Sequence, residues 1–114
     1  MNVETLKSIG GSEWIKEDKH RVYFNDLAWF FGLSCNRYNT GNISSATLDG
    51  EKISNSRASE ISGALGGSKV WYDVKDGQFH YKVIGCRTYS GDTMGDAIVE
   101  EIKRRAAAAE VEAQ

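Results

Sequence analysis

Hydrophobic and polar positions alternate most regularly in residues 69–84, on either side of an Asp-Gly pair at positions 76 and 77. A period of two is typical of a strand with one buried face, and Asp-Gly between two such runs favours a type I′ hairpin turn. The inward face is then predicted to carry three cross-strand pairs: Val74 with Phe79, Tyr72 with Tyr81, and Val70 with Val83. The outward face is predicted to carry Asp73 opposite His80, Trp71 opposite Lys82, and Lys69 opposite Ile84.

Similar patterns predict the other elements. Ile43–Leu48 and residues 51–54 form a second hairpin around Asp49-Gly50, and residues 13–16 and 21–24 are short strands. Capping residues and helical spacing predict four helices: a short one after Asn2 (where a strand fits nearly as well), one after Asn25-Asp26, one from Ser54 to Leu65, and a last one after Asp92. The last helix is expected to pack through Met94, Ala97, Ile98 and Ile102. Residues 34–42 lack periodicity and are predicted to be a loop.

These elements predict an α+β fold, with an antiparallel, hairpin-built sheet and with short helices and a longer C-terminal helix packed on one face. The 114 residues, 40% of them hydrophobic, suffice for one domain with a real core. We assign residues 1–105 to that domain. Residues 106–114 keep helix propensity but lose the apolar stripe, so we expect a frayed or solvent-exposed helix end.

Cysteine usage and hydropathy bear on location. Cys35 and Cys86 lie far apart without a CxxC motif, which is typical of reduced, buried thiols in a cytosolic protein. The N-terminus lacks the apolar core of a signal peptide, and no run approaches the length of a membrane span. We therefore expect a cytoplasmic protein with no membrane partner.

The net charge of the chain bears on which kinds of partner it could bind. A net charge of −2 argues against a protein whose main task is non-specific binding to a phosphate backbone. The charge is uneven, however, because residues 20–90 carry eight Lys/Arg against six Asp/Glu. The middle of the chain is therefore mildly basic, and the excess acid lies towards the two ends.

The outward face of the main hairpin is the predicted recognition surface. It groups Lys69, Trp71, His80 and Lys82, a mixture of cations and rings suited to stacking and to protein contacts. Arg37 and Tyr38 in the predicted loop, together with Arg57, are further binding candidates. The alternative interpretation is an ordinary solvated face with one cation–π contact.

Catalytic motifs are not found. The chain has no P-loop, GxGxxG, HExxH or GxSxG, and its two histidines and two cysteines lack zinc-site spacing, so neither a cofactor nor a metal is expected. Asp73 opposite His80 could poise an imidazole for proton transfer, although no nucleophile is evident beside it.

Three segments resemble small proteins encoded by bacteriophages and other mobile elements: GGSEW…RVYFNDL, YNTGNISSATLDGEKISNSRA and KVWYDV. The resemblance covers most of residues 10–75. It implies a compact accessory protein that acts by binding a host or phage component, and it carries over no catalytic residue.

Three hypotheses follow. The first is a non-catalytic binding protein with a protein partner from host or phage, acting as a monomer or homodimer. The alternative is a protein that binds single-stranded or structured nucleic acid through the face with Lys69, Trp71, His80 and Lys82. The third is a small enzyme that uses the Asp73–His80 pair.

Overall fold

The structure is a computed structural model that describes residues 1–82 and 94–112. Its helices are α1 (Val3–Ser8), α2 (Leu27–Phe30), α3 (Asn55–Gly66) and α4 (Met94–Glu112). Its strands are β1 (Ser12–Lys16), β2 (Lys19–Phe24), β3 (Leu33–Arg37), β4 (Ile43–Leu48), β5 (Glu51–Ile53), β6 (Lys69–Asp73) and β7 (Gln78–Lys82). The α+β class is confirmed. The strands form two antiparallel sheets rather than one, in the orders β1-β2-β6-β7 and β3-β4-β5.

Side-chain caps begin the helices where the sequence predicts them. The Asn2 side chain accepts a hydrogen bond from the Glu4 N–H at 2.8 Å, which settles the N-terminal segment as a helix. The Ser54 hydroxyl accepts from the Arg57 N–H at 3.1 Å and starts α3. The predicted cap Asp92 lies outside the described residues.

The core lies between the helices and one face of the four-stranded sheet. Val22, Phe24 and Val70 are almost completely buried on that inner face. Ile98 and Ile102 of α4 pack there as predicted, and both are fully buried. The predicted stripe is wrong at Ala97, which is exposed, whereas the helix also buries its Val99 and Ala106 side chains.

The register of the β6–β7 hairpin differs from the prediction by two residues. Tyr72 pairs with Phe79 and Val70 with Tyr81, and residues 74–77 form a four-residue loop in place of a two-residue turn. The Val74 N–H donates to the His20 carbonyl at 2.9 Å, so Val74 continues the pairing with β2 and leaves β7. Because the shift is even, each side chain keeps its predicted face.

The outward pairs change with this register. Trp71 lies opposite His80 and not Lys82, Asp73 lies opposite Gln78 and not His80, and Lys69 lies opposite Lys82. Val83 and Ile84, to which the prediction gave strand partners, lie outside the described residues.

The predicted loop at residues 34–42 is wrong in its first part. Leu33–Arg37 is strand β3, paired with β4 from Leu33↔Leu48 to Arg37↔Ile43. Its polar residues have low strand propensity, but the ladder to β4 supplies backbone hydrogen bonds that propensity does not count. The hairpin beside it is as predicted, because Asp49 and Gly50 both have positive φ, 51° and 83°.

The domain boundary after residue 105 and the cytoplasmic location stay predictions. Helix α4 continues to Glu112, with Ala106 buried and Val111 72% exposed. Cys35 is a half-buried free thiol, and Cys86 lies outside the described residues. None of the helices in the described ranges combines the length and apolarity that a membrane crossing requires.

Candidate functional site

One face of the sheet β1-β2-β6-β7 is turned away from the core, and we call it the outer face. None of its described side chains is completely buried. Strand alternation and register place twelve side chains on it: Ser12, Trp14, Lys16, Lys19, Arg21, Tyr23, Lys69, Trp71, Asp73, Gln78, His80 and Lys82. All twelve are exposed or partly exposed, so this face is available to a partner.

Aromatic rings cross the outer face from one edge strand to the other. The centroids of Trp14 and Tyr23 are 6.2 Å apart, and those of Tyr23 and Trp71 are 6.0 Å apart. Trp71 then stacks on His80, with 5.7 Å between centroids and 16° between ring planes. We call these four residues the aromatic ladder. It brings three large rings to a face on which the hairpin alone placed one.

Arg21 supplies the cation of this ladder. Its guanidinium carbon lies 5.2 Å from the centre of the Trp71 ring, and its Nη1 donates to the Tyr23 hydroxyl at 2.9 Å. The prediction gave this role to Lys82. The correct partner comes from β2 because Arg21 is paired with Asp73, beside Trp71. Within the described ranges, the buried Nε of Arg21 has no hydrogen-bond partner.

Lysines occupy two diagonally opposite corners of the outer face. Lys16 pairs with Lys19 beside the β1–β2 turn, and Lys69 pairs with Lys82 at the other end of the sheet. Like charges directly opposite each other destabilise a sheet by roughly 0.2–1 kcal/mol. Among residues 1–82 and 94–112, none of the four lysines makes an ion pair.

His80 is held by a carboxylate that the prediction did not choose. Its Nε2 lies 2.8 Å from Asp76 Oδ2, whereas the predicted partner Asp73 lies opposite Gln78. The hydrogen bond from His80 lowers the pKa of Asp76, and the Gln78 backbone N–H adds to the effect. The Asp73–His80 pair of the enzyme hypothesis is therefore corrected to an Asp76–His80 pair.

One group in the described part of the chain has the ligand types of a metal site. The donor atoms of Asp73, Asp76 and His80 lie within 4.8 Å of one another, at the loop end of the β6–β7 hairpin. Two carboxylates and an imidazole suit a divalent first-row metal. Exposed acidic groups of this kind are common without a metal. His80 belongs both to this group and to the aromatic ladder.

The remaining predicted residues lie elsewhere. Arg37 belongs to β3, where its Nη1 donates to the Gly41 carbonyl at 2.8 Å, and Tyr38 is 62% exposed in the following turn. Arg57 lies in the first turn of α3 and is half-buried. The structure therefore brings Lys69, Trp71, His80 and Lys82 together on the outer face. Arg37, Tyr38 and Arg57 do not lie on it.

A groove of about 520 Å³ opens where the outer face meets the end of α3. The rings of Trp14 and Tyr23 line it, together with Lys69, Ser68, Asn25 and Gly66. We call it the Trp14 groove. It joins aromatic surface to a cation in one concave space, a composition typical of ligand sites.

The sequence patterns did not single out Trp14, Tyr23 and Arg21 as site residues. Their outward positions follow from alternation within β1 and β2, and that signal was available. What was lacking was the β2–β6 pairing, which joins strands separated by α2, a second sheet and α3. Comparison of the chain with protein-family models, with curated proteins and with solved structures finds no match in any of the three.

Proposed function

We propose that the outer face binds single-stranded nucleic acid. The observation that carries this proposal is the aromatic ladder, with lysines at two corners of the same face that make no ion pair within residues 1–82 and 94–112. Base stacking on aromatic side chains contributes about 1–3 kcal/mol per base, and lysines beside the rings attract the phosphates. Both parts of such a surface are present here on one sheet.

Charge on the outer face favours a polyanion. Five of its twelve side chains are Lys or Arg, and Asp73 is the one carboxylate among them. The net charge of −2 belongs to the whole chain, whereas fields decay over about 8–10 Å at physiological salt. A nucleic acid on this face therefore meets the local excess of cations and not the average charge.

The dimensions of the face fit a short segment. Strand spacing and rise place the two lysine corners roughly 20 Å apart, with the ladder between them. A strand that runs diagonally from Lys69 and Lys82 to Lys16 and Lys19 would cross the rings on its way. That path accommodates a few nucleotides, in the lower range of single-strand binding sites.

Binding of fluorescently labelled 12-mers of deoxythymidine and of uridine, followed by anisotropy at 50 and 200 mM salt, tests the proposal. We expect affinity to fall at least several-fold between these salt concentrations, since each neutralised phosphate contributes about 0.7 to the salt slope. Trp71→Ala should weaken binding about tenfold. Trp29→Ala is the matched control, because Trp29 is 54% exposed but lies on α2.

A second variant protects the test from misfolding. Replacing Lys69 and Lys82 together with Gln removes two cations without touching the core, and it relieves a like-charge pair. We expect an unchanged or slightly higher melting temperature with a lower salt slope. No anisotropy change with either oligonucleotide at 50 mM salt would refute the proposal and favour a protein partner, since Trp, Tyr and Arg are also common anchors of protein interfaces.

A further inference from the structure

The Trp14 groove differs from the rest of the outer face because it is concave. The ladder offers ring edges and faces across the four strands. The groove instead borders a space of about 520 Å³ between the Trp14 and Tyr23 rings and the end of α3. Ligand pockets for small molecules commonly occupy about 300–1,000 Å³. The groove therefore has room for one compact ligand.

The groove is lined by aromatic rings, a cation and polar groups. Its aromatic part is formed by two rings at 85° to each other, which gives a flat ligand one ring face and one ring edge to contact. Its cation is Lys69, an exposed side chain that makes no ion pair within residues 1–82 and 94–112. Asn25 and Ser68 add amide and hydroxyl groups to the lining.

We infer that the Trp14 groove receives a single nucleotide unit, with its base against the Trp14 and Tyr23 rings and its phosphate at Lys69. The choice of a nucleotide as ligand rests on the proposed function, because the groove opens onto the ladder through Tyr23. A planar base suits the rings, and a phosphate suits the Lys69 ammonium group. The groove would thus hold one nucleotide at the end of the bound segment.

The groove can be filled without disturbing the fold. A Cβ at Gly66 meets no atom within 4 Å, and Gly66 does not have positive φ. Gly66→Glu therefore places a bulky anion in the groove. Gly63→Glu is the matched control, since Gly63 is also in α3, is equally free of steric conflict and lines a different cleft.

The probe is adenosine 5′-monophosphate, with adenosine as its phosphate-free counterpart, followed in ¹H–¹⁵N spectra. The Trp14 indole signal is assigned with Trp14→Phe. We expect the nucleotide to shift the Trp14 indole and the Ser68 and Lys69 amides, and adenosine to bind several-fold more weakly. Gly66→Glu should abolish these shifts, and Gly63→Glu should retain them.

The 12-mers separate this inference from the proposed function. If wild-type protein binds the 12-mers while the monophosphate leaves the groove signals unchanged, or if Gly66→Glu binds the monophosphate as tightly as Gly63→Glu, the inference is wrong and the proposed function stands. If the monophosphate binds at the groove and the 12-mers do not bind, the proposed function is wrong and the groove stands as a mononucleotide site.

Discussion

Glu101 is predicted to stabilise the fold through a charge cluster on α4, and acid should remove that stabilisation. Its carboxylate accepts hydrogen bonds from Arg104 and Arg105, each at 2.6 Å from Oε1. Arg105 in turn donates to the Phe30 carbonyl at 2.9 Å, and its guanidinium lies 4.5 Å from the Trp29 ring centre. Glu101 thus holds the side chain that ties α4 to α2.

The size of the stabilisation that Glu101 contributes follows from its pKa. The hydrogen bond from Arg104 is the largest cause, and together with Arg105 it lowers the pKa from 4.5 to about 2. At about 1.4 kcal/mol per pKa unit, the difference corresponds to roughly 3 kcal/mol. About a quarter of the Glu101 side chain is exposed, so solvent screening reduces the expected contribution to about 1–2 kcal/mol.

The downward direction of the pKa shift determines the pH range over which the stabilisation is lost. A carboxylate with a lower pKa in the folded state stabilises the fold above its unfolded pKa, and this stabilisation is lost as the pH falls from about 4.5 to about 2. Urea unfolding of the wild type and of Glu101→Gln should therefore give free energies that differ by about 1–2 kcal/mol at pH 7. The two curves should converge towards pH 2.

Glu100→Gln is the matched control, because the neighbouring glutamate is 75% exposed and lies 3.7 Å from Lys103. Exposed ion pairs of this kind contribute about 0–1 kcal/mol. The reasoning would be refuted by equal losses in the two variants, or by a Glu101→Gln difference that persists unchanged at low pH.

Two further predictions concern other contacts. Gly11→Ala should lower the free energy of unfolding by about 1–3 kcal/mol in urea titrations, because its Cβ would come within 2.5 Å of Val22 Cγ1 and 2.8 Å of the Leu6 carbonyl oxygen; Gly63→Ala, in open space, should not lower it. Asp96→Asn should lower the pKa of Tyr81, which its hydrogen bond to Asp96 raises above the ordinary value of 10. Ultraviolet titration of tyrosinate measures this pKa, with Tyr81→Phe to assign the signal. Equal Tyr81 pKa values in the wild type and in Asp96→Asn would contradict the prediction.

Local chemistry was sufficient to predict most elements of the fold. Side-chain caps at Asn2 and Ser54 began their helices, and Asp49-Gly50 formed the expected turn because both residues adopt positive φ. Asp76-Gly77 has the same two residues, but only Gly77 has positive φ there. The difference arises because β2 competes for Val74, a contact that no local pattern contains.

The site was harder to predict than the elements. Alternation placed Trp71 and His80 on one face correctly, because an even shift of register leaves faces unchanged. Their neighbours depend on strand order, and Tyr23 reaches Trp71 across 48 positions of sequence. The hairpin alone predicts one large ring on the outer face, because the rings of Trp14 and Tyr23 come from strands that only the topology places beside it.

Strand order also explains why the cations and rings belong to one surface. The two hairpins β1–β2 and β6–β7 each contribute one Lys–Lys pair and one half of the ladder. Separately, each hairpin is a short ribbon with a repelling pair; joined through β2 and β6, they present the rings between the two lysine pairs. The cross-strand repulsion destabilises the free protein, and an anionic ligand that binds both corners would offset it. Stability and the proposed binding are therefore opposed at the same four lysines, which makes them more informative to replace than any buried residue.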